Sequence, residues 1–182
     1  IEKQGKYIFV ALQVPNDVQI ISNCKLFSSI DDMLTSVIKS LPEGYDLIVR
    51  EHPMNKGRYN KSLYKLINEN VNVHIDNNTP IDHLIDNSSL VIVINSTVGL
   101  EAAVRGAAVL TLGDIYYPQI VNNLTSRESL KTEIVKAIDN KATQEEVKLY
   151  IAYLFKNYMV KDNYKNSNYY DLNNAVEKIC CR

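Results

Sequence analysis

At 182 residues, 46% hydrophobic and 23% charged, with a formal net charge of -1, the chain has room for one well-buried core and the balance of an ordinary globular domain. That charge gives no sign of the concentrated basic surface of a nucleic-acid-binding protein, so an anionic ligand is expected to be held by local geometry. No window approaches the roughly 20 apolar residues that span a bilayer, and the first residues lack a signal peptide's apolar stretch. Cys24 and the vicinal pair Cys180 and Cys181 have no metal-ligand spacing and read as thiols in a reducing, cytoplasmic compartment.

In chain order, residues 7–14 form a continuous β-prone run without alternation, as a central parallel strand buried on both faces requires. Pro15, Asn16 and Asp17 signal a turn, and residues 30–41 repeat apolar side chains at helical spacing until Pro42-Glu43-Gly44 stops them. A second strand at 45–50 leads directly into Glu51-His52-Pro53. A helix at 60–70 and a strand at 71–75 follow, the latter alternating apolar and polar as a strand nearer the sheet edge does. Thr79-Pro80 reads as a cap with proline at the first position of a short helix over 81–87.

Residues 90–113 spell one βαβ unit: an apolar run, the turn Asn95-Ser96-Thr97, an Ala-rich helix closed by Gly106, and a second apolar run. An aromatic loop with Tyr116 leaves the fifth strand. Ser126 to Ser129 resembles an N-cap for a helix over 130–138, and another helix starts at Thr143 and runs to about Tyr158. A polar linker at 161–167 precedes a last helix over 172–179. The alternation of five strands with helices argues an α/β, Rossmann-like doubly wound parallel sheet with extra C-terminal helices, in which ligands bind outside the carboxyl ends of the strands. The domain expected is 1–160, with 161–182 a linker and C-terminal helix packing on that domain or on a missing neighbour. The first residue is not Met and stands close to a strand, which suggests a piece of a longer protein.

The polar residues gather at strand ends: Gln13, Asn16 and Asp17 after the first, Glu51, His52 and Pro53 after the second, Asn95, Ser96 and Thr97 after the fourth, Tyr116 after the fifth. Pro53 biases His52 towards an extended backbone and sets its direction, although a histidine there can equally bond its own loop. Ser96 and Thr97 suit a helix cap, and with Asn95 before them and Gly99 after them they also suit an anion at a helix N-terminus. Gly99 stands where a Cβ would crowd an approaching phosphate or strand. Glu101, one turn in, is placed to accept from a ribose diol or to sit solvated; Lys56 and Arg58 are weaker candidates for phosphate. There is no G-x-G-x-x-G after the first strand, no P-loop and no G-x-S-x-G elbow, and the three histidines are too scattered for a metal site.

Four ordered stretches carry a family resemblance: Leu12-Gln13-Val14-Pro15-Asn16-Asp17, Arg50-Glu51-His52-Pro53-Met54-Asn55-Lys56-Gly57, Ile94-Asn95-Ser96-Thr97-Val98-Gly99-Leu100-Glu101-Ala102, and Leu112-Gly113 with Ile115-Tyr116. Over residues 7 to 120 the chain resembles the bacterial capsule polysaccharide biosynthesis and export family of retaining β-Kdo transferases. The resemblance implies a GT-B glycosyltransferase, of which this chain is the C-terminal, donor-binding half. It implies CMP-Kdo as the nucleotide-sugar donor and Kdo transfer to a lipid or glycan acceptor; since no Asp-rich cluster has convincing ligand spacing, donor binding is expected to need no metal or other cofactor. His52 of the His52-Pro53 motif, with Ser96 and Thr97, would hold the phosphate, and Pro53, Asn95 and Gly99 belong to the same donor-binding set. Glu101 and Tyr116 would reach ribose or base, and Gln13, Asn16 and Asp17 would face the cleft between the two domains.

The N-terminal acceptor domain of the same polypeptide is absent, and the catalytic carboxylate is expected there, with His52 left as a leaving-group stabiliser. The expected location is cytoplasmic, with peripheral association at the inner face of the membrane an open alternative. Two readings compete: a UDP-sugar enzyme, another GT-B transferase or a GlcNAc 2-epimerase-like protein, and a non-catalytic Rossmann-type binding module. A receiver-type domain is weaker, since its acidic pocket and lysine partner are not evident.

Overall fold

The computed structural model describes residues 6–15 and 25–158. Six strands, β1 (Tyr7–Ala11), β2 (Asp46–Arg50), β3 (Val73–Ile75), β4 (Leu90–Val93), β5 (Val109–Thr111) and β6 (Asn122–Asn123), form one sheet in the order β3-β2-β1-β4-β5-β6. Every pairing is parallel. Helices α1 (Ile30–Lys39), α2 (Lys61–Asn68), α3 (Ile81–Asp86), α4 (Thr97–Val104) and α5 (Leu130–Asp139) connect or flank the strands. This is the Rossmann-like doubly wound sheet that the alternation of elements implies.

The continuous apolar runs become the central strands because helices cover both faces of the sheet. All residues of β1 and β4 are buried. Ile8, Val10, Leu47, Val49, Leu90 and Ile92 share one core with Leu34 of α1, Leu63 of α2 and Ile134 of α5. The alternate residues, Phe9, Ile48, Val91 and Val93, are buried too and face the other side of the pleat, where α4 packs on β4 and β5. Tyr7 reaches across that face and donates its hydroxyl to the Leu84 carbonyl of α3 at 2.8 Å.

Several ends differ from the pattern in the sequence. The first strand stops at Ala11 rather than Val14: Leu12 still donates to the Arg50 carbonyl, but Gln13 turns its amide to other work. Thr79 does not cap α3. Pro80 occupies the cap position with no side-chain bond, and Thr79 instead gives its N–H and hydroxyl to the Asp76 carboxylate at 2.9 and 2.7 Å. Ser129 likewise makes no capping bond to α5, because its backbone is already helical and its hydroxyl goes to the Ser126 carbonyl. The sixth strand carries no apolar signal at all. Asn122 and Asn123 pair with β5 through the backbone, and their amides reach the Val109 carbonyl and the Thr111 hydroxyl.

Helix α4 closes as glycine at the end of a helix allows: Gly106, at φ 82°, and Ala107 donate to the carbonyls of Ala103 and Ala102. The chain divides into two compact units, Ile1–Thr143 and Gln144–Arg182. In the second, the described residues form helix α6 (Gln144–Asn157), with Tyr153 ring-stacked against Tyr150 and Tyr158. The expected domain boundary at 160, the linker and the helix over 172–179 lie outside the described residues. So do Asn16, Asp17, Cys24, Cys180 and Cys181. No helix among the described residues is long and apolar enough to cross a membrane.

Candidate functional site

Strands β1 and β4 are neighbours whose connections leave in opposite directions, to β2 and β5, so a crevice opens between their carboxyl ends. Gln13 and Asn95 meet there. The Gln13 amide donates to Asn95 Oδ1 at 2.6 Å, and the Asn95 backbone N–H donates to Gln13 Oε1 at 3.2 Å. An amide inside an apolar run needs such a partner, and this reciprocal pair ties the two strand ends together.

His52 stands on the neighbouring strand end, half-buried, as the cap of a 3₁₀ turn over Pro53–Asn55. Its Nδ1 accepts the Met54 N–H at 3.3 Å, the local bond that an unliganded histidine makes. An accepting Nδ1 places the proton on Nε2 in the neutral ring, and Nε2 has no partner among the described residues. In the same turn, Asn55 Nδ2 is buried and has no acceptor among the described residues.

What holds this turn is Glu51, which is 4% exposed. One carboxylate oxygen takes the Tyr64 hydroxyl and the Gly57 N–H, the latter at 3.0 Å, and the other takes the Asn77 amide. Asn77 also accepts the Glu51 N–H. Burial pushes the Glu51 carboxyl up, but these three donors and the charge of Lys56 outweigh it and hold the group below its ordinary range. Next to it, Arg50 reaches the β3 end, donating to the carbonyls of Asp76 and Thr79 and lying 3.7 Å from the Asp76 carboxylate.

On the other side of the crevice, Ser96 caps α4, its Oγ accepting the Val98 N–H at 3.2 Å. Thr97 is the first helical residue, exposed, and its hydroxyl makes no hydrogen bond among the described residues. Ser96 already takes the Val98 and Gly99 N–H groups, so what favours an anion at this helix end is the positive end of its dipole and the exposed Thr97 hydroxyl. Gly99 does not face the crevice. A Cβ there would come within 2.5 Å of the Tyr117 hydroxyl and 2.9 Å of Val93, so its bareness serves the contact of α4 with β4 and with Tyr117.

Tyr117 is fully buried, donates to the Ser96 carbonyl, and has its phenol pushed far up by desolvation. Tyr116, 50% exposed, packs edge-on against it at 5.1 Å. Partial burial, then the charge of the exposed Glu101, raises the Tyr116 phenol. A cavity of about 680 Å³ adjoins this loop, lined by Leu112, Ile115, Pro118 and Leu124, with the Lys25 and Asp114 pair among its lining residues. That volume is in the range of small-molecule sites.

The structure therefore brings Gln13, Asn95, Ser96, Thr97, His52 and Pro53 to one carboxyl edge of the sheet, with Glu101 and Tyr116 beside them. Lys56 and Arg58 are exposed on the loop after the His52 turn. The sequence reading passed over Tyr59, Tyr64, Asn77 and Tyr117, which hold the site from beneath. The one available signal was an aromatic residue inside an otherwise polar loop. Among the described residues no group of three or more His, Cys, Asp or Glu side chains is arranged to hold a metal ion.

Comparison with known proteins bears on this geometry. The chain is 30% identical over 141 residues to the capsule polysaccharide modification protein LipB of Neisseria meningitidis, covering 69% of this chain and 33% of that protein. It spans between 32% and 39% of the length of the curated relatives it matches. Among solved structures, the β-Kdo 2,7 transferase of Thermosulfurimonas dismutans KpsC superposes with a TM-score of 0.55 at 20% identity, over 85% of this chain and 56% of that one. The UDP-GlcNAc 2-epimerase of Neisseria meningitidis, bound to UDP-GlcNAc, gives 0.57 at 17% identity, over 86% and 46%. These two likenesses share the fold. The model of the family described as capsule polysaccharide biosynthesis protein matches residues 1–170, taking in every strand end described above, and the chain belongs to that family.

Proposed function

We propose that this chain is the donor-binding part of a glycosyltransferase, holding a nucleotide-sugar, CMP-Kdo, for transfer of Kdo to a lipid or glycan acceptor in capsule or surface polysaccharide biosynthesis. The observation that carries the reading is the crevice between β1 and β4. There the Gln13 and Asn95 pair, the α4 N-terminus with Ser96 and Thr97, and the unpartnered Nε2 of His52 stand at one sheet edge. A phosphate at the α4 N-terminus meets the Thr97 hydroxyl and a favourable dipole without a cation.

His52 then has a definite role. With Nδ1 engaged by Met54, its Nε2–H is the hydrogen-bond donor that stabilises charge developing on the departing cytidine monophosphate. Glu101 and Tyr116 stand beside that helix end as partners for the ribose or base, and no metal is invoked in donor binding. The group that acts on the anomeric carbon belongs, in this reading, to an N-terminal domain of the same polypeptide. The likeness of the fold to a UDP-GlcNAc-bound epimerase makes a UDP-sugar the second reading.

Thermal-shift titration of the 182-residue chain with CMP and with UDP separates the two. A ligand at about 100 times its Kd stabilises by about 2.7 kcal/mol, an upward Tm shift of about 5–10 °C for a domain of this size. The shift is expected with CMP and is expected to be lost in His52→Ala. A shift with UDP and not CMP overturns the choice of donor, and no shift with any nucleotide favours a binding module without catalysis.

A further inference from the structure

We infer that Tyr59 is a positioning residue, the hydrogen-bonded link that sets His52 against the Gln13 and Asn95 pair at the nucleotide crevice. The inference deepens the donor-site reading and rests on it. Tyr59 lies in the loop between the Pro53–Asn55 turn and α2, outside any helix or strand, yet it is only 7% exposed. Its hydroxyl accepts the His52 backbone N–H at 3.0 Å and donates to the Gln13 carbonyl, also at 3.0 Å.

The two groups that this hydroxyl joins belong to neighbouring strand ends, Gln13 lying 46 residues and His52 7 residues from Tyr59 along the chain. Each continues into the site. On one side Gln13 passes through its side chain to Asn95, and on the other His52 turns its Nδ1 to Met54. The Tyr59 backbone is itself held, because its N–H donates to the Tyr64 hydroxyl at 3.3 Å and that hydroxyl is given to Glu51. Burial, then the Glu51 charge, raises the Tyr59 phenol against the lowering effect of the His52 N–H, which keeps the proton that the Gln13 carbonyl requires.

A tyrosine that merely filled space would tolerate phenylalanine, since the ring is the buried part. A positioning tyrosine would not, because without the hydroxyl the His52 N–H and the Gln13 carbonyl both lose their partner, and the turn carrying His52 is freed from β1.

The test is Tyr59→Phe in the full chain, read three ways: CMP affinity by calorimetry, hydrogen exchange at the His52 amide, and a double-mutant cycle with His52→Ala. Loss of the bridge is expected to weaken CMP binding about tenfold and to speed His52 amide exchange about tenfold, with exchange in β5 unchanged. In the His52→Ala background the same substitution is expected to cost clearly less, since the larger part of its effect acts through the His52 ring and the smaller part through the Gln13 carbonyl. Wild-type affinity and wild-type exchange in Tyr59→Phe would overturn the inference, as would effects that simply multiply in the cycle. If the wild-type chain binds no CMP, the donor reading falls by itself, and His52 amide exchange alone decides the role of Tyr59.

Discussion

Replacing Gly99 by alanine tests why that position is bare. The added Cβ would lie 2.5 Å from the Tyr117 hydroxyl and 2.9 Å from Val93 Cγ2, where neither neighbour can yield cheaply. Tyr117 is fully buried and donates to the Ser96 carbonyl; Val93 is inside β4. Overpacking of this kind costs about 1–3 kcal/mol, and pushing the hydroxyl off Ser96 adds about 1 kcal/mol. Alanine's better helix propensity returns at most about 1 kcal/mol. The net loss is about 2 kcal/mol, which at this size lowers Tm by about 4–8 °C.

The measurement is a thermal melt of the ligand-free chain, where phosphate plays no part. A second melt in a Tyr117→Phe background removes the closer of the two contacts, and there Gly99→Ala is expected to cost about 1 kcal/mol less. A ligand-free Tm within about 1 °C of wild type would refute the packing argument and return Gly99 to the ligand.

Two further outcomes follow from the same geometry. Ser96→Ala removes the cap on the Val98 N–H and is expected to lower the ligand-free Tm by about 2–4 °C for a cost of about 1 kcal/mol, whereas the exposed Thr97→Ala stays within about 0.5 kcal/mol of wild type and shows its effect only in nucleotide titration. For pH, the Glu51 carboxyl is held below its ordinary value of 4.5 when folded, so its contribution is fully present above 4.5 and is lost as pH falls through the folded value. Glu51→Gln is therefore expected to be most destabilised at neutral pH and to show a flatter acid limb in urea unfolding between pH 6 and pH 3 (about the window set by that shift); an unchanged acid limb would show that Glu51 is not held ionised by its donors.

Much of the fold was legible in local pattern. The unbroken apolar runs of β1 and β4 demanded a sheet covered on both faces, the spacing over 30–41 demanded an amphipathic helix, and the alternating 71–75 run did become the edge strand β3. The sixth strand was not legible, since Asn122 and Asn123 join the sheet through backbone pairing and amide bonds that leave no hydrophobic trace. The caps expected at Thr79 and Ser129 failed for a related reason: a hydroxyl takes whichever partner its backbone angle offers, here Asp76 and the Ser126 carbonyl.

The amino-acid sequence by itself determined which residues stand at strand ends, because strand length, turn chemistry and helix caps are local properties. It places His52, Gln13 and the Asn95-Ser96-Thr97 turn on one edge of the sheet. Only the tertiary structure decided how that edge is held, since the strand order puts β1 beside β4 and lets residues 82 apart, Gln13 and Asn95, share an amide pair. It also revealed that the turn opened by His52 is braced by Glu51, Tyr59 and Tyr64, and that Gly99 answers to Tyr117 across 18 residues rather than to the crevice. Those are long-range contacts between side chains, and no periodicity along the chain encodes them.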